Sequence, residues 1–170
     1  LADNGMNELA YEAMDKKDMP GYGWWISQGA TTTWEEWNGN NSRNHPMFGG
    51  GFTWFYRKLA GLNTDQKEVG YKHIIIKPCP PEAISYATYS TSTPYGVAGV
   101  DWKKQEKSFK MNVEVPVGSH ATVYLPLISG KTVKESGNAI NKVKGISFKG
   151  IQDGYAVMEV PSGKYSFETD

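Results

Sequence analysis

The sequence predicts an α+β chain in two parts, a helical part over residues 1–62 and an antiparallel β-sandwich over 68–170. Three observations predict it. Apolar residues recur at helical spacing in the first sixty positions. After the polar connector Asn63-Thr-Asp-Gln-Lys-Glu the period changes from 3.6 to 2. From there on, short runs rich in β-branched and aromatic residues alternate with Gly, Pro and Ser turns. A chain of 170 residues has room for one ordinary domain, or for a small domain with part of another.

The elements follow in order. Met6, Leu9, Ala10, Ala13 and Met14 share one helical face, and Asp18-Met-Pro-Gly stops that helix because proline cannot continue it. Residues 22–28 are short and aromatic, and read either as a helical turn or as an extended piece. Residues 46–59 predict a second helix, with Phe48, Phe52, Phe55, Tyr56 and Leu59 on one face. Pro46 suits its first turn, Ser42 or Asn44 its cap, and Ala60-Gly61 its end. Gly49, Gly50 and Gly51 inside it each cost about 1 kcal/mol relative to alanine, so the run implies a close neighbour against the backbone. Strands are expected at 71–77, 84–91, 96–102, 108–115, 120–125, 131–135, 145–149, 155–160 and 163–168. The cleanest alternation places Phe109, Met111, Val113 and Val115 on one side. The domain boundary is expected near 62–70.

Composition removes several function classes. Eighteen basic and eighteen acidic residues balance without a long run of either sign, which argues against nucleic acid or an anionic membrane as partner. No apolar run approaches the ~20 residues of a membrane span. A single cysteine, Cys79, excludes an internal disulfide framework, and three scattered histidines give no reason to expect zinc or another metal. Cys79 lies in Pro-Cys-Pro-Pro, away in sequence from any histidine or basic cluster that would activate it. No cofactor is called for. The opening Leu-Ala-Asp-Asn-Gly has neither an initiator methionine nor a signal pattern, as expected of a piece of a longer polypeptide.

The unusual feature is aromatic content, since five of the six tryptophans fall between Trp24 and Trp54. Within that segment Gly29-Ala-Thr-Thr-Thr-Trp-Glu-Glu-Trp-Asn-Gly-Asn-Asn-Ser-Arg-Asn-His45 combines acids, tryptophans, an arginine and a histidine between flexible turns. Aromatic faces and dense hydrogen-bonding groups suit a sugar, and carboxyl groups cut glycosidic bonds. Glu35 and Glu36 are adjacent, so on extended backbone they point to opposite sides and cannot form a facing acid/base pair. Either is a solvated surface group or, beside Trp34 and Trp37, a carboxyl in a less polar setting suited to catalysis. His45 reads as a substrate contact, a base or a helix cap. Arg43 is a candidate ion-pair partner for one of the glutamates, and Thr31, Thr32 and Thr33 for sugar hydroxyls or for plain strand. His73 and His120 read as structural or exposed strand residues.

These residues resemble a known family. Gly21-Tyr-Gly, Gly29-Ala-Thr-Thr-Thr-Trp-Glu-Glu-Trp, Ser42-Arg-Asn-His-Pro-Met-Phe-Gly and Trp54-Phe-Tyr-Arg-Lys-Leu-Ala-Gly are similar to the carboxy-terminal part of bacterial α-L-rhamnosidases of glycoside hydrolase family 78. Val69-Gly-Tyr-Lys-His-Ile-Ile-Ile-Lys-Pro, Tyr95-Gly-Val-Ala-Gly-Val-Asp-Trp and Val115-Pro-Val-Gly-Ser-His-Ala-Thr-Val-Tyr-Leu-Pro resemble that family's terminal β-domain. The resemblance implies that 1–62 are the last helices and catalytic loop of an (α/α)6 barrel and that 68–170 are the β-sandwich. It implies inverting release of terminal α-L-rhamnose, with Glu35 as general base and His45, Trp34, Trp37 and Arg43 around the sugar. It gives Glu36 no catalytic role. The family's general acid lies on an upstream segment outside these residues. The expected partners are therefore a rhamnose-containing glycoside and the remainder of the same polypeptide, without nucleic acid or membrane, and the resemblance favours a periplasmic or secreted protein. Two alternatives stand beside it. One is a non-catalytic carbohydrate-binding or structural sandwich, which would present a row of exposed aromatics drawn from Tyr86, Tyr89, Tyr95 and Trp102. The other is a different inverting barrel glycosidase.

Overall fold

A computed structural model describes residues 1–130 and 132–170. The chain forms two compact units, Leu1–Trp54 and Phe55–Asp170. Residues 55–64 belong with the sheets because Ala60 and Leu62 are buried in the second core and Leu62–Thr64 forms a strand there.

The first unit holds two short helices, α1 (Asn7–Asp15) and α2 (Tyr22–Ser27), and a 3-10 segment at Pro46–Phe52. The buried face of α1 is not the expected one: Asn7 and Ala10 are buried, whereas Leu9 and Met6 are exposed. Asn7 turns inward because its Oδ1 accepts the indole N–H of buried Trp54 at 2.9 Å, which satisfies both polar atoms. Residues 22–28, left open between helix and extended chain, resolve as helix.

The expected single helix over 46–59 is instead a 3-10 stretch followed by a π-type turn at Phe55–Leu59. Three successive glycines are poor material for an α-helix, and the tighter turn is their outcome. Gly51 has the close neighbour the sequence implied, since a Cβ there would lie 2.5 Å from the Tyr22 hydroxyl. The cap is neither Ser42 nor Asn44: His45 Nδ1 accepts the Met47 N–H at 3.2 Å, with Pro46 in the first turn.

The second unit is a two-sheet sandwich of eleven strands. They are β1 (Leu62–Thr64), β2 (His73–Ile76), β3 (Tyr86–Thr93), β4 (Gly96–Lys104), β5 (Phe109–Val115), β6 (His120–Pro126), β7 (Val133–Glu135), β8 (Asn138–Ala139), β9 (Ser147–Gln152), β10 (Tyr155–Val160) and β11 (Gly163–Thr169). One sheet runs β1-β2-β6-β10-β9 and the other β3-β4-β5-β11-β7-β8. Strands β1 and β8 were not expected, being three and two residues long. Of the run expected at 131–135, Lys131 lies outside the described residues. The expected antiparallel sandwich is found, with a parallel pairing inside it where β2 runs beside β6, in register from His73↔His120 to Ile76↔Val123.

Alternation builds the core, as period-two patterning requires. Phe109, Met111, Val113 and Val115 are all buried, as are Ile74, Ile76, Val123, Leu125, Met158 and Phe167 from neighbouring strands. Trp102 is at the centre at 1 % exposure, its ring near-parallel to Phe109 at 5.5 Å and its N–H donated to the Leu59 carbonyl at 2.9 Å.

Candidate functional site

The Ala30–His45 loop of the first unit is closed on itself by reciprocal hydrogen bonds. Its base is held where the His45 N–H donates to the Thr33 carbonyl at 2.8 Å and the Thr33 hydroxyl donates to the His45 carbonyl. The Thr32 hydroxyl likewise bonds the Arg43 carbonyl. Two residues further in, the Glu35 N–H donates to the Ser42 carbonyl at 2.8 Å, and the Ser42 N–H returns a bond to Glu35 Oε2 at 3.2 Å. Glu35 therefore has its backbone and its carboxylate fixed by one residue on the opposite arm.

The tip is a run of Asn and Gly because it turns sharply. The Gly39 N–H donates to the Glu36 carbonyl at 3.0 Å, and Asn38 Oδ1 accepts the Asn40 N–H at 2.9 Å. Glu36 Oε1 accepts from Asn41 Nδ2 at 2.7 Å, a bond internal to the tip. Gly39 has φ of +79° and sits against Trp34, so that a Cβ would lie 2.6 Å from the indole Cζ3.

Trp34 itself is 5 % exposed. The Arg43 guanidinium carbon lies 4.7 Å from its ring centroid, and Arg43 Nε donates to the Gly39 carbonyl at 3.0 Å. Where the sequence suggested an ion pair with a glutamate, Arg43 is a clamp that covers Trp34 and closes the tip. Trp37 belongs to an aromatic cluster, stacked on Trp25 at 4.2 Å and tilted on Phe48 at 4.6 Å. Its carbonyl accepts the indole N–H groups of both Trp24 and Trp25 at 3.2 Å. Tyr22 packs edge-on to Trp25 and Trp37 and donates its hydroxyl to the Phe48 carbonyl at 2.7 Å. Burial raises its pKa above the ordinary tyrosine value.

Glu35 and the four companions named from the sequence thus share one loop and its footing. The two tryptophans and Arg43 hold that loop in shape from beneath and across. His45 stands at its closing pair and caps the segment that follows, the third of the readings it left open. Beside the loop is a hollow of about 220 Å³, floored by Tyr22, Trp25, Ile26 and Phe52 and rimmed by Thr31, Thr32 and Thr33. Apolar rings beside hydroxyls are the surroundings a sugar ring requires. The threonines were open between sugar hydroxyls and plain strand, and Tyr22, Trp25 and Phe52 were not named from the sequence as lining a site. The crowding of aromatics between Trp24 and Trp54 was the signal for Trp25 and Phe52.

The second unit does not present the aromatic row that a binding module would. Trp102 is in the core and Tyr89 packs half-buried against it, while Tyr86 and Tyr95 are exposed. A shallow hollow of about 460 Å³ crosses β3, β4, β5 and β11 over Gly99, but its polar side chains bond one another. Thr88 donates to Asp101 at 3.0 Å, and Lys164 pairs with Glu114 at 3.2 Å. No helix among the described residues is long and apolar enough to cross a membrane.

Two family models match successive parts of the chain. Residues 1–59 match the model of the bacterial alpha-L-rhamnosidase 6 hairpin glycosidase domain, and residues 61–139 that of the bacterial alpha-L-rhamnosidase C-terminal domain. An α-L-rhamnosidase of Formosa agariphila is 31 % identical over 97 % of this chain, which covers 18 % of that protein. The solved α-L-rhamnosidase from "Dictyoglumus thermophilum" superposes with a TM-score of 0.89 at 37 % identity, over 99 % of this chain and 19 % of its own. The Streptomyces avermitilis α-L-rhamnosidase complexed with L-rhamnose superposes at 0.88 with 27 % identity, over 100 % of this chain and 17 % of its own. The chain thus spans less than a fifth of the length of these relatives. A helical unit matching the glycosidase domain, joined to a sandwich matching the domain that follows it, makes this chain a member of the bacterial α-L-rhamnosidase family, from the carboxy-terminal part of that protein.

Proposed function

We propose that the whole protein is a glycoside hydrolase that releases terminal α-L-rhamnose with inversion, and that this chain supplies its general base, Glu35. The observation that carries the reading is the double hold of Ser42 on Glu35, in a loop within the segment that matches the glycosidase domain. A base must meet its water at a fixed place, and a carboxylate anchored through Oε2 leaves Oε1 to receive the proton.

In this reaction water attacks the anomeric carbon from the face opposite the leaving oxygen. Its proton passes to the Glu35 carboxylate as the C–O bond to the aglycone breaks, and a carboxylic acid outside this chain protonates the departing oxygen. In inverting enzymes the two carboxyl groups stand about 6.5–9.5 Å apart, which makes room for the water. His45 and the threonine rim contact sugar hydroxyls, while Trp34, Trp37 and Arg43 act through the loop they hold. The last helices of an (α/α)6 barrel are then the proper context for residues 1–62, and a sandwich over 68–170 is the domain that follows. The rest of the polypeptide is the necessary partner, and residues 1–170 alone do not hydrolyse rhamnosides. The chemistry is acid–base and draws on no organic cofactor.

Replacing Glu35 by Gln in the full-length protein tests this. Gln keeps the Ser42 N–H acceptor but cannot take a proton. Turnover of a chromogenic α-L-rhamnoside is expected to fall by at least ~100-fold, the range of general base catalysis, at little changed KM. Near-normal turnover rules Glu35 out.

A further inference from the structure

Two of the three histidines, far apart in sequence, are brought together by the parallel pairing of β2 with β6. His73 on β2 and His120 on β6 are in direct register, and their rings stack at 4.5 Å with 11° between planes. Glu68, on the segment before β2, has its carboxylate 3.7 Å from His120 Nε2. One ligand atom from each of Glu68, His73 and His120 lies within 4.8 Å of the others.

Around His73 the arrangement is more specific than a chance meeting of side chains. Its Nδ1 is 2.8 Å from Asp65 Oδ2. Asp65 is itself fixed by the Lys67 backbone N–H, which donates to its Oδ1 at 2.9 Å. A carboxylate beside Nδ1 accepts the ring N–H there, which leaves the lone pair on Nε2. This is how metal-binding imidazoles are oriented and made more basic. Its Nε2 lies 2.8 Å from the Thr122 hydroxyl, which rotates to suit its neighbour.

We propose that His73, His120 and Glu68 form a site for a divalent transition-metal cation of the zinc type, with Asp65 orienting His73. Two imidazoles and one carboxylate select zinc or its neighbours over calcium and magnesium, which require oxygen ligands. With bonds of about 2.1 Å, tetrahedral ligand atoms stand about 3.4 Å apart, so the trio must close by up to about 1.4 Å and the His120 ring must turn out of its stack on His73 to bring its lone pair onto the ion. The half-exposed Glu68 and His120 side chains supply that movement, while the paired strands keep the two histidines together. The fourth position is open to water. The cation ties the segment before β2 to β6.

The test is titration calorimetry of the full 170-residue chain, stripped with EDTA, against zinc chloride at neutral pH. One equivalent is expected to bind, with at least tenfold weaker affinity in each of His120→Gln and Glu68→Gln. Asp65→Asn is expected to weaken it about 10–100-fold, as loss of an orienting partner does elsewhere. Both ligand changes are at half-exposed side chains, so the result does not depend on whether His73→Gln folds. Nitrogen-15 spectra of the imidazoles identify the ligands directly, through zinc-dependent shifts at Nε2 of His73 and His120. Binding that survives unchanged in His120→Gln and Glu68→Gln, or no binding by the unaltered chain, overturns the proposal.

Discussion

The second unit buries twenty hydrophobic residues in one cluster, whereas among the described residues of the first only Ala10, Trp25, Trp34 and Trp54 are buried to that degree. The second is built from period-two patterning, so that its residues mostly repeat one rule. The first is built from individual bonds: an asparagine on an indole, a histidine on a backbone N–H, a guanidinium over a ring. Regular structure tolerates the loss of a single polar contact and depends on volume. A loop made of single contacts depends on each one, and gains in return a carboxylate held at a fixed place. On the proposed function, scaffold and chemistry are divided accordingly between the two units.

The largest effect separating them belongs to Trp102. Trp102→Ala removes a fully buried ring, its stacking on Phe109 and its bond to Leu59, and is expected to cost about 3–5 kcal/mol. Urea unfolding followed by circular dichroism reads it. A loss under ~1 kcal/mol would mean that the sandwich does not depend on its central volume.

Gly39→Ala tests the first unit by geometry alone. The added methyl must displace Trp34 from a position with φ of +79°, at a cost of about 1–3 kcal/mol. In the full-length enzyme turnover is expected to fall while the sheet signal and its unfolding midpoint in the second unit stay in place. Activity unchanged by this substitution would separate the loop's shape from its function.

The smallest effect is one of pH in the second unit. Burial, and then Cys79 nearby, raise the pKa of Tyr155, whose hydroxyl donates to the Pro78 carbonyl at 3.1 Å. The folded state holds this proton more tightly than the unfolded one, so the contribution is complete below the ordinary pKa of 10.0 and is lost as pH rises above it. Tyr155→Phe is expected to cost about 1 kcal/mol at neutral pH. The gap between the two proteins should narrow above pH 10 in paired thermal melts. A gap that stays constant to high pH would show that the hydroxyl titrates alike in both states.

Legibility in the sequence follows the same division. Every strand of four residues or more was visible, because alternation and turn residues act locally, and Phe109, Met111, Val113 and Val115 all face inward as patterned. Strands β1 and β8 were too short to carry a pattern, and the parallel pairing of β2 with β6 is a long-range choice that no window contains. For that reason His73 and His120 looked scattered. In the first unit the loop and its acids were legible from residue type. The inward turn of Asn7 and the seat of Arg43 on Trp34 were not, since each depends on a partner met only in the fold, and residue type alone did not separate the cap from the other two readings of His45.

The most direct test of Glu35 as general base is rescue by azide in the full-length protein. Glu35→Ala keeps the backbone bond to Ser42 and opens the space in which, on the proposed function, the attacking water stands. Azide is a nucleophile that needs no proton removed. If Glu35 activates the water, turnover lost in Glu35→Ala returns with azide, and the product is the rhamnosyl azide of inverted configuration. If turnover stays low at every azide concentration, or was never lost, the base lies elsewhere.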